Sequence, residues 1–393
     1  MIIHGTQVSV NQGYMMRYQM LISIGITIIL CVSTVHAQMV PPTQAPSTDP
    51  NRIPSELIDE AKRSVDKAIS FLTKRQDSSG SYGSHVGITA MVLLALAESY
   101  RKYTVGDGPF IRRAVEWMNA HARADGAISG DATPTYNTSL AIMALHTLDQ
   151  KGYQTLIEGG QRFLTSYQND EDRKYSVEDK YYGGIGYGGD ERPDLSNLQY
   201  ALEALKRTDF DPNSDVWKKA ERFVSRCQNF TESAEEDPLP RDWAGNDGGF
   251  IYEPGLSKAG GVQSYGAMTF AGLKSLMFTT RSKKDDPRVQ AAWTWIQQNY
   301  DFNSHPGMGT TAYYYYLQTA ASALEAFEAV EIPSKNGEKH NWAADLLARL
   351  VNLQKPDGSW VNENRKYWEG NAILVTARGI ITINHVLRAI KAQ

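Results

Sequence analysis

Three carboxylates lie where the sequence predicts turns or the first residues of helices, positions from which side chains often reach a ligand. Asp194 precedes the apolar period of "LSNLQYALEAL", Asp247 lies in "GNDGGF" and Glu369 lies in "WEGN". Two such groups about 5–10 Å apart across a cleft would supply the acid and base of glycoside hydrolysis. Each also has a structural explanation, because aspartates cap helices and loop carboxylates cap turns. We treat all three as candidate catalytic residues.

Polar and aromatic residues also occupy the predicted starts of the most apolar helices. If these helices run in one direction, their N-termini converge, and their unpaired N–H groups favour an anion or an electron-rich oxygen. This predicts a pocket with an apolar throat and a hydrogen-bonding rim. The predicted ligand-binding residues are Tyr136, Asn137, Ser196, Asn197, Tyr265, Tyr313 and Trp368. Within the run Tyr313–Tyr316, helical geometry allows about two side chains to face the pocket.

One unit recurs along the chain, and it predicts the elements that would position these residues. Each copy has an amphipathic helix, a glycine-rich turn and a second helix rich in small apolar residues, as in "AISFLTKRQDSSGSYG" followed by "GITAMVLLALAESY". Phe71, Trp117 and Phe163 recur at equal spacing in the first helices. Four of the six units carry a glutamine at the end of the first helix, namely Gln76, Gln168, Gln228 and Gln354.

Six helix pairs predict an all-α fold of twelve helices. The second helices are apolar around most of their circumference and should be buried as an inner ring, whereas the first helices have a charged face and should form an outer ring. Neither terminal pair has a polar capping face, which favours a closed ring over an open solenoid. The sequence therefore predicts a single (α/α)6 toroid domain over residues 55–393.

The N-terminal region has the features of an export signal. Residues 1–37 combine a short charged region, an apolar stretch from Met20 to Val35 and a small residue, Ala37, before the expected cleavage site. Residues 38–54 are rich in Pro, Thr and Ser and predict a flexible tether. We expect a periplasmic or secreted protein, associated with the cell surface if the tether holds it there, and no transmembrane span in the mature chain. That chain retains a single cysteine, Cys227, so it can form no internal disulfide.

Composition excludes one class of partner. The chain is 41% hydrophobic and 21% charged, with a net charge of −4 and no basic block. A nucleic-acid partner needs a concentrated positive surface, so none is expected. The sequence points to no particular protein partner.

The segment Gln354–Trp360, "QKPDGSW", matches a Gln-x-x-x-Gly-x-Trp repeat, and Gln76–Tyr82 is a weaker copy with tyrosine in place of tryptophan. In these motifs the chain resembles the terpenoid cyclase and protein prenyltransferase superfamily, including the squalene-hopene-cyclase-like repeat proteins. The resemblance covers the mature chain and implies the same (α/α)6 toroid. Within this superfamily, the chain most resembles exported bacterial proteins that have no settled activity.

The resemblance also indicates which catalytic residues of the superfamily this chain lacks. In class II cyclases the middle aspartate of Asp-x-Asp-Asp protonates an alkene. Here Asp194 matches the first aspartate, Ser196 stands in the acid's place and Asn197 takes the last position. The zinc-binding Asp-x-Cys of protein prenyltransferases is absent at Cys227, which has Ser225 two positions before it. Asp190–Asp194 imitates a magnesium-binding motif, but Pro193 disfavours the helix that such a motif needs. No metal or cofactor is predicted.

Three functions remain open at this stage. The first is a toroid that binds an apolar or isoprenoid-like small molecule, with residual or altered cyclase-type chemistry. The second is a non-catalytic interaction scaffold, which the missing acid and metal ligands favour. The third is a carbohydrate-active hydrolase or lyase on an (α/α)6 barrel, which would depend on Asp194, Asp247 and Glu369.

Overall fold

A computed structural model describes residues 53–130, 133–188, 192–231, 237–279 and 283–392 of the chain. The predicted leader, most of the tether and the residues Asp190 and Glu191 lie outside these ranges. Within them, twelve α-helices occur: α1 Ser55–Thr73, α2 Val86–Glu98, α3 Pro109–Asn119, α4 Pro134–Asp149, α5 Gln154–Ser166, α6 Leu195–Arg207, α7 Asp215–Arg226, α8 Gly266–Thr279, α9 Pro287–Gln298, α10 Tyr313–Ala326, α11 Trp342–Leu353 and α12 Ala372–Ala392. Short 3-10 helices cover Val105–Asp107, Glu171–Arg173, Lys283–Asp285 and Lys366–Trp368, and strands β1 Ile332–Pro333 and β2 Lys339–His340 form one small hairpin.

The helices alternate between two concentric rings. The even-numbered helices form the inner ring, and each packs against the next, with α12 returning to α2. Every residue of α2 is buried, as expected for a helix that is apolar all round. In the outer helix α7 burial is confined mainly to one face that includes Trp217, Ala220 and Phe223. Helix α1 contacts α11 and α12, so the first and the last helix pairs also meet. The predicted all-α toroid with a closed ring is confirmed.

The repeat glutamines explain how neighbouring units are joined. Nε2 of Gln354 donates to the carbonyl of Gly358 in its own turn, at 3.0 Å, and to the carbonyl of Ser64 in α1, at 2.8 Å. Gly358 has φ +89°, and a Cβ placed on it would lie 2.5 Å from the carbonyl oxygen of Lys67. Only glycine allows the turn to approach α1 this closely. The last repeat is thereby fastened to the first.

The same arrangement recurs at the other three repeat glutamines. In each case Nε2 donates to one carbonyl of its own glycine turn and to one near the start of the next outer helix. The pairs of accepting residues are Gly80 and Phe110 for Gln76, Gly183 and Val216 for Gln168, and Gly248 and Arg288 for Gln228. The glutamine and glycine positions of the repeat are therefore its structural signature, and they act between units rather than within the central cavity.

The inner ring carries buried charges that the sequence analysis did not anticipate. Near the C-terminal ends of the inner helices, Lys274 of α8 pairs with Glu203 of α6 at 2.7 Å. Glu98 of α2 pairs with Arg207 of α6 and, at 3.2 Å, with Arg388 of α12. The Glu98–Arg207 pair joins α2 to α6, which are not neighbours in the ring, and the other two pairs join neighbouring helices, so charged side chains occupy the interior at this end. The expectation of almost wholly apolar inner helices needs this correction.

One helix in the part of the chain that the structure describes, α12, is long and apolar enough to cross a membrane. In this structure 83% of the most apolar stretch of α12 is buried inside the protein. This is the burial of a core helix, and the packing of α12 in the inner ring accounts for its apolar composition.

Candidate functional site

A cavity of about 470 Å³ opens at the N-terminal end of the inner ring. All six inner helices contribute to its wall from their first turns or the residues just before them. One lining residue from each is Ile88, Tyr136, Ser196, Met268, Tyr315 and Leu374, in the order α2 to α12. The convergence of six helix N-termini expected from the sequence is therefore present, and the cavity has the size of a small-molecule site.

Tyrosine dominates the cavity wall. Seven tyrosines line it: Tyr136, Tyr187, Tyr200, Tyr252, Tyr265, Tyr315 and Tyr367. Tyr136 and Tyr200 meet edge to face with ring centroids 4.9 Å apart, and Tyr200 stacks near Tyr315 at 6.4 Å. Such rings offer an apolar surface with a hydroxyl at the tip. The wall can therefore hold a hydrocarbon and still form hydrogen bonds to a polar group.

Arg378 is a charged residue of the cavity wall that the sequence analysis did not name. It lies in the second turn of α12, is 7% exposed and lines the cavity. Its guanidinium lies 5.1 Å from the centroid of the Tyr315 ring and donates hydrogen bonds to the hydroxyls of Tyr136 and Tyr200. The available signal was its place within the apolar run "AILVTARGIITI", because a fully buried arginine normally has a specific partner.

Five of the seven predicted ligand-binding residues line the cavity: Tyr136, Ser196, Asn197, Tyr265 and Trp368. Ser196, which stands in the place of the class II acid, shares a hydrogen bond of 2.9 Å with the hydroxyl of Tyr315. The cavity therefore has a serine hydroxyl and a phenol where a cyclase of that class would have a carboxylic acid.

Two predicted ligand-binding residues do not line the cavity. Asn137 is fully buried between α4 and α2, where its amide donates to Ser129 Oγ at 2.9 Å. Tyr313 points toward the outer ring, accepts a hydrogen bond of 2.8 Å from Arg349 Nε and donates to the carbonyl of Phe302. Because a helix turns about 100° per residue, Tyr315 faces the cavity and Tyr313 does not. Of the run Tyr313–Tyr316, one side chain lines the cavity rather than the expected two.

Asp194 caps α6 and lies behind the wall. It is 2% exposed, and its two carboxylate oxygens accept hydrogen bonds from the backbone N–H and the side-chain amide of Asn197, at 2.9 and 2.6 Å. Burial raises the pKa of Asp194 to about 6, although the Asn197 and Tyr252 side chains stabilise its anion. Its structural role as a helix cap is plain, and it is not a lining residue.

Glu369 and Asp247 are also held in structural hydrogen bonds. Glu369 is 1% exposed and accepts from the backbone N–H of Tyr315 at 2.7 Å and from the Asn362 amide at 2.6 Å, so it caps α10. Burial raises its pKa. Asp247 is exposed and accepts from the N–H of Gly249 and from Ser264 Oγ. Neither lines the cavity.

Two adjacent aromatic residues form the mouth of the cavity. Tyr367 and Trp368 are 52% and 63% exposed, and both have left-handed backbone angles, with φ of 55° and 66°. Trp368 contacts the ring of His85, the cap residue of α2, edge to face at 5.5 Å. Consecutive non-glycine residues in this conformation are strained, and such strain often marks a functional segment.

His305 lines the cavity but is bonded on both sides. Its Nδ1–H donates to the carbonyl of Thr311 at 2.8 Å, and its Nε2 accepts from the N–H of Ala267 in the first turn of α8, at 2.9 Å. This arrangement fixes the neutral tautomer, and burial lowers the pKa of His305 to about 4. Its role is to cap α8.

We expect His305 to make folding stability depend on pH between 4 and 6.5. The unfolded chain binds the proton near pH 6.5 and the folded chain near 4, so His305 contributes stability above pH 6.5 that is lost as the pH falls toward 4. The loss is on the order of 3 kcal/mol. Denaturant unfolding of wild type and His305→Gln at several pH values measures it. The glutamine variant should show a smaller slope over this range, and equal slopes would contradict the assignment.

No group of three or more His, Cys, Asp or Glu side chains suited to a metal ion occurs among residues 53–130, 133–188, 192–231, 237–279 and 283–392. Cys227 is a free, buried thiol whose pKa is raised by burial. The imitation of a magnesium motif at Asp190–Asp194 lies partly outside the residues that the structure describes.

Sequence comparison alone does not place the chain. No family model matches the sequence, and no curated protein matches it significantly.

Comparison with solved structures identifies the fold. A ligand-free variant of the type II terpene cyclase MstE from Scytonema superposes with a TM-score of 0.52 at 13% identity, covering 85% of this chain and 99% of that one. A second MstE variant, in complex with merosterolic acid A, has a TM-score of 0.50 with the same identity and coverage. A glycosidase variant in complex with glucose also gives 0.50, at 12% identity, covering 85% and 99%. The chain therefore has the terpenoid cyclase-like fold, an (α/α)6 toroid that it shares with glycosidases.

Proposed function

We propose that this protein binds an apolar, isoprenoid-like small molecule in its central cavity and does not start a cyclisation by protonating it. The observation that carries the proposal is the lining itself: an aromatic and aliphatic wall that carries tyrosine hydroxyl groups and, among the described residues, no carboxylate. Such a wall suits a hydrocarbon chain, because burying apolar surface drives binding.

The same lining argues against cyclase chemistry. Protonation of an alkene needs a carboxylic acid that reaches the substrate, and Ser196 with its partner Tyr315 is far too weak an acid. A cyclase must then stabilise a carbocation, whereas Arg378 places a positive charge in the wall. At about 6 Å and an effective dielectric constant of about 20, that charge would destabilise a carbocation by roughly 3 kcal/mol.

Structural neighbours support the ligand class. One MstE structure holds geranylgeranyl dihydroxybenzoate as substrate, at a TM-score of 0.50, and another holds merosterolic acid A as product. The first of these carries an isoprenoid chain. The cavity of the present chain lies at the N-terminal end of the inner ring and has the aromatic lining that such a chain requires.

The glycosidase-like neighbour raises the alternative of carbohydrate chemistry, which we consider less well supported. That chemistry needs two carboxylates facing one cleft. Asp194 and Glu369 are each held by backbone N–H groups at helix starts, and Asp247 is exposed in a turn. A binding protein without catalytic activity, the second of the sequence-based hypotheses, is compatible with the proposal.

We further propose that the protein acts outside the cytoplasm. The proposal rests on the leader-like residues 1–37 and the tether-like residues 38–54, followed by a single toroid domain over 55–393. N-terminal sequencing of the mature protein from cell fractions would test it. A mature N-terminus near residue 38 in the exported fraction is expected, and an intact chain retained in the cytoplasm would contradict it.

The binding proposal is tested with geranylgeraniol and squalene as probes. We expect saturable quenching of the aromatic fluorescence by at least one of them and its quantitative recovery, unchanged, by mass spectrometry. Leu374→Trp, which fills the cavity from its wall, should abolish binding while the thermal unfolding midpoint stays near that of wild type. Formation of a cyclised product would overturn the non-catalytic part of the proposal, and binding unaffected by Leu374→Trp would overturn the site.

A further inference from the structure

Arg378 is surrounded by neutral partners. Its Nη1 donates to Gln318 Oε1 at 2.6 Å and to the Tyr200 hydroxyl at 3.2 Å, and its Nη2 donates to the Tyr136 hydroxyl at 3.2 Å. Its Nε–H has no hydrogen-bond partner. A guanidinium has five N–H donors and no acceptor, so these three bonds leave two donors unused, one on Nε and one on Nη2.

The charge of Arg378 is likewise uncompensated. No carboxylate lies within ion-pair distance of it among the residues that the structure describes. Glu369 acts on it electrostatically, but the oxygens of that carboxylate are held by Tyr315 N–H and Asn362. Buried cations are normally paired, because removing an ion from water costs several kcal/mol. By contrast, the buried cations Lys274 and Arg226 are paired with Glu203 and Asp237.

The tyrosines around Arg378 add further unused donors. Because the hydroxyl oxygens of Tyr136 and Tyr200 accept hydrogen bonds from the guanidinium, their own O–H hydrogens must point elsewhere. Neither hydroxyl has an acceptor within the described part of the chain. Ser196 and Tyr315 share one bond between two hydroxyls, so one of their hydrogens is also unused. The floor of the cavity is therefore a cluster of donors that lacks an acceptor.

This cluster of donors lies deep in the ring and forms the floor of the cavity. Arg378 follows the start of α12 by six residues, which is about 9 Å along a helix. The aromatic residues Tyr367 and Trp368 lie at the exposed mouth. A ligand that fills the cavity would therefore have one end among the donors and the other end at the mouth.

We infer that the floor around Arg378 is an anion site and that the ligand is an apolar acid whose carboxylate binds there, with its hydrocarbon part along the tyrosine wall. This inference rests on the proposed function and narrows the ligand class. Because Arg378 lines the cavity, a carboxylate there can accept from the unused N–H of its Nη2, while the phenol O–H groups of Tyr136 and Tyr200 supply further bonds.

Charge count favours a carboxylate over a diphosphate. Among the lining residues that the structure describes, the cations are Arg378 and Lys258. The Lys258 amine lies over the Tyr252 ring, 4.2 Å from its centroid, apart from the donor cluster. One guanidinium balances the single charge of a carboxylate and leaves most of a diphosphate's charge unpaired in a desolvated site.

The test compares three probes with one hydrocarbon chain: geranylgeranoic acid, geranylgeraniol and geranylgeranyl diphosphate. We expect the acid to bind wild type at pH 7.5 at least 10-fold more tightly than the alcohol, and more tightly than the diphosphate, by calorimetry. Equal affinity for acid and alcohol would overturn the anion site while leaving the apolar cavity in place. Preference for the diphosphate would overturn the carboxylate. If no probe binds, the proposed function itself fails.

Two variants test whether the donor cluster around Arg378 causes the preference for the acid over the alcohol. Arg378→Met has a similar shape and no charge, and it should remove the difference between acid and alcohol, because the acid loses far more affinity than the alcohol. Tyr136→Phe removes one phenol donor without touching the charge and should weaken binding of the acid about 3-fold to 10-fold, with a smaller effect on the alcohol. It keeps the test valid should Arg378→Met fail to fold. An acid preference that is as large in either folded variant as in wild type would overturn the assignment.

Discussion

Gly183→Ala is expected to lower the free energy of unfolding by more than about 4 kcal/mol, beyond the range of ordinary substitutions. Gly183 has φ +82°, and a Cβ built on it would lie 1.8 Å from the carbonyl oxygen of Lys219 in α7. Its own carbonyl accepts the hydrogen bond of Gln168, and its N–H donates to the carbonyl of Asn169 at 2.7 Å. The turn therefore cannot move away from α7 without losing the bonds that join the two repeats.

Gly337→Ala is the matched control. Gly337 has the same φ of +82°, but an added Cβ there would meet no atom within 4 Å. It should cost only the intrinsic penalty of a left-handed alanine, about 1–2 kcal/mol. Denaturant unfolding of both variants separates the contact with Lys219 from the backbone conformation. Equal losses in the two variants would show that the close approach to α7 contributes nothing.

Arg226→Met is expected to cost about 3–5 kcal/mol, the usual effect of breaking a buried ion pair. Arg226 is fully buried, and its Nε and Nη2 bind both oxygens of Asp237 at 2.8 and 2.6 Å. It also donates to the carbonyls of Asp179 and Val177, each at 2.6 Å. The substitution would leave a carboxylate and two carbonyls without their partner.

Lys219→Met provides the contrast, because Lys219 forms a more exposed ion pair with Asp170. It should cost less than about 1 kcal/mol. The double variant Arg226→Met with Asp237→Leu should recover part of the loss, since no charge is then left unpaired. Urea unfolding of the four proteins measures these differences. A loss at Arg226 no larger than at Lys219 would contradict the assignment of this residue as an anchor.

Arg226 also connects stability to the site. The carbonyls that it binds belong to the loop between α5 and α6, which supplies Tyr187 to the cavity. Asp237 belongs to the loop between α7 and α8, which supplies Tyr252 and Lys258. We therefore expect ligand affinity to fall together with stability in Arg226→Met.

The sequence predicted the toroid because its repeats report local structure directly. Glutamine and glycine recur at fixed positions, since the glutamine must bond a carbonyl of the next unit, as Gln354 does at Ser64, and the glycine must allow the close approach, as Gly358 does at Lys67. Residues at helix starts, such as Ser196 and Tyr265, could be assigned to the cavity because six similar helices must present their starts to one end of the ring.

Properties that depend on the rotation of a helix or on distant parts of the chain were not predictable. Tyr313 and Tyr315 are two residues apart, and only the packing of α10 decides which of them faces the cavity. Arg378 and Tyr136 are far apart in sequence, so nothing in either local pattern indicates that they are hydrogen-bonded. The candidate carboxylates had the right residue type, but their hydrogen bonds to backbone N–H groups arise only in the folded chain.

The loop that carries Trp368 also carries Glu369, and this links the width of the entrance to the integrity of α10. Swinging the loop outward would pull Glu369 from the N–H of Tyr315 and uncap that helix. Admission of a ligand should then proceed by rotation of the Tyr367 and Trp368 rings about their side-chain bonds, which takes picoseconds to nanoseconds for exposed residues. The association rate would then be limited by diffusion to an entrance that is almost always open. The residence time of the ligand would depend on its contacts inside the cavity.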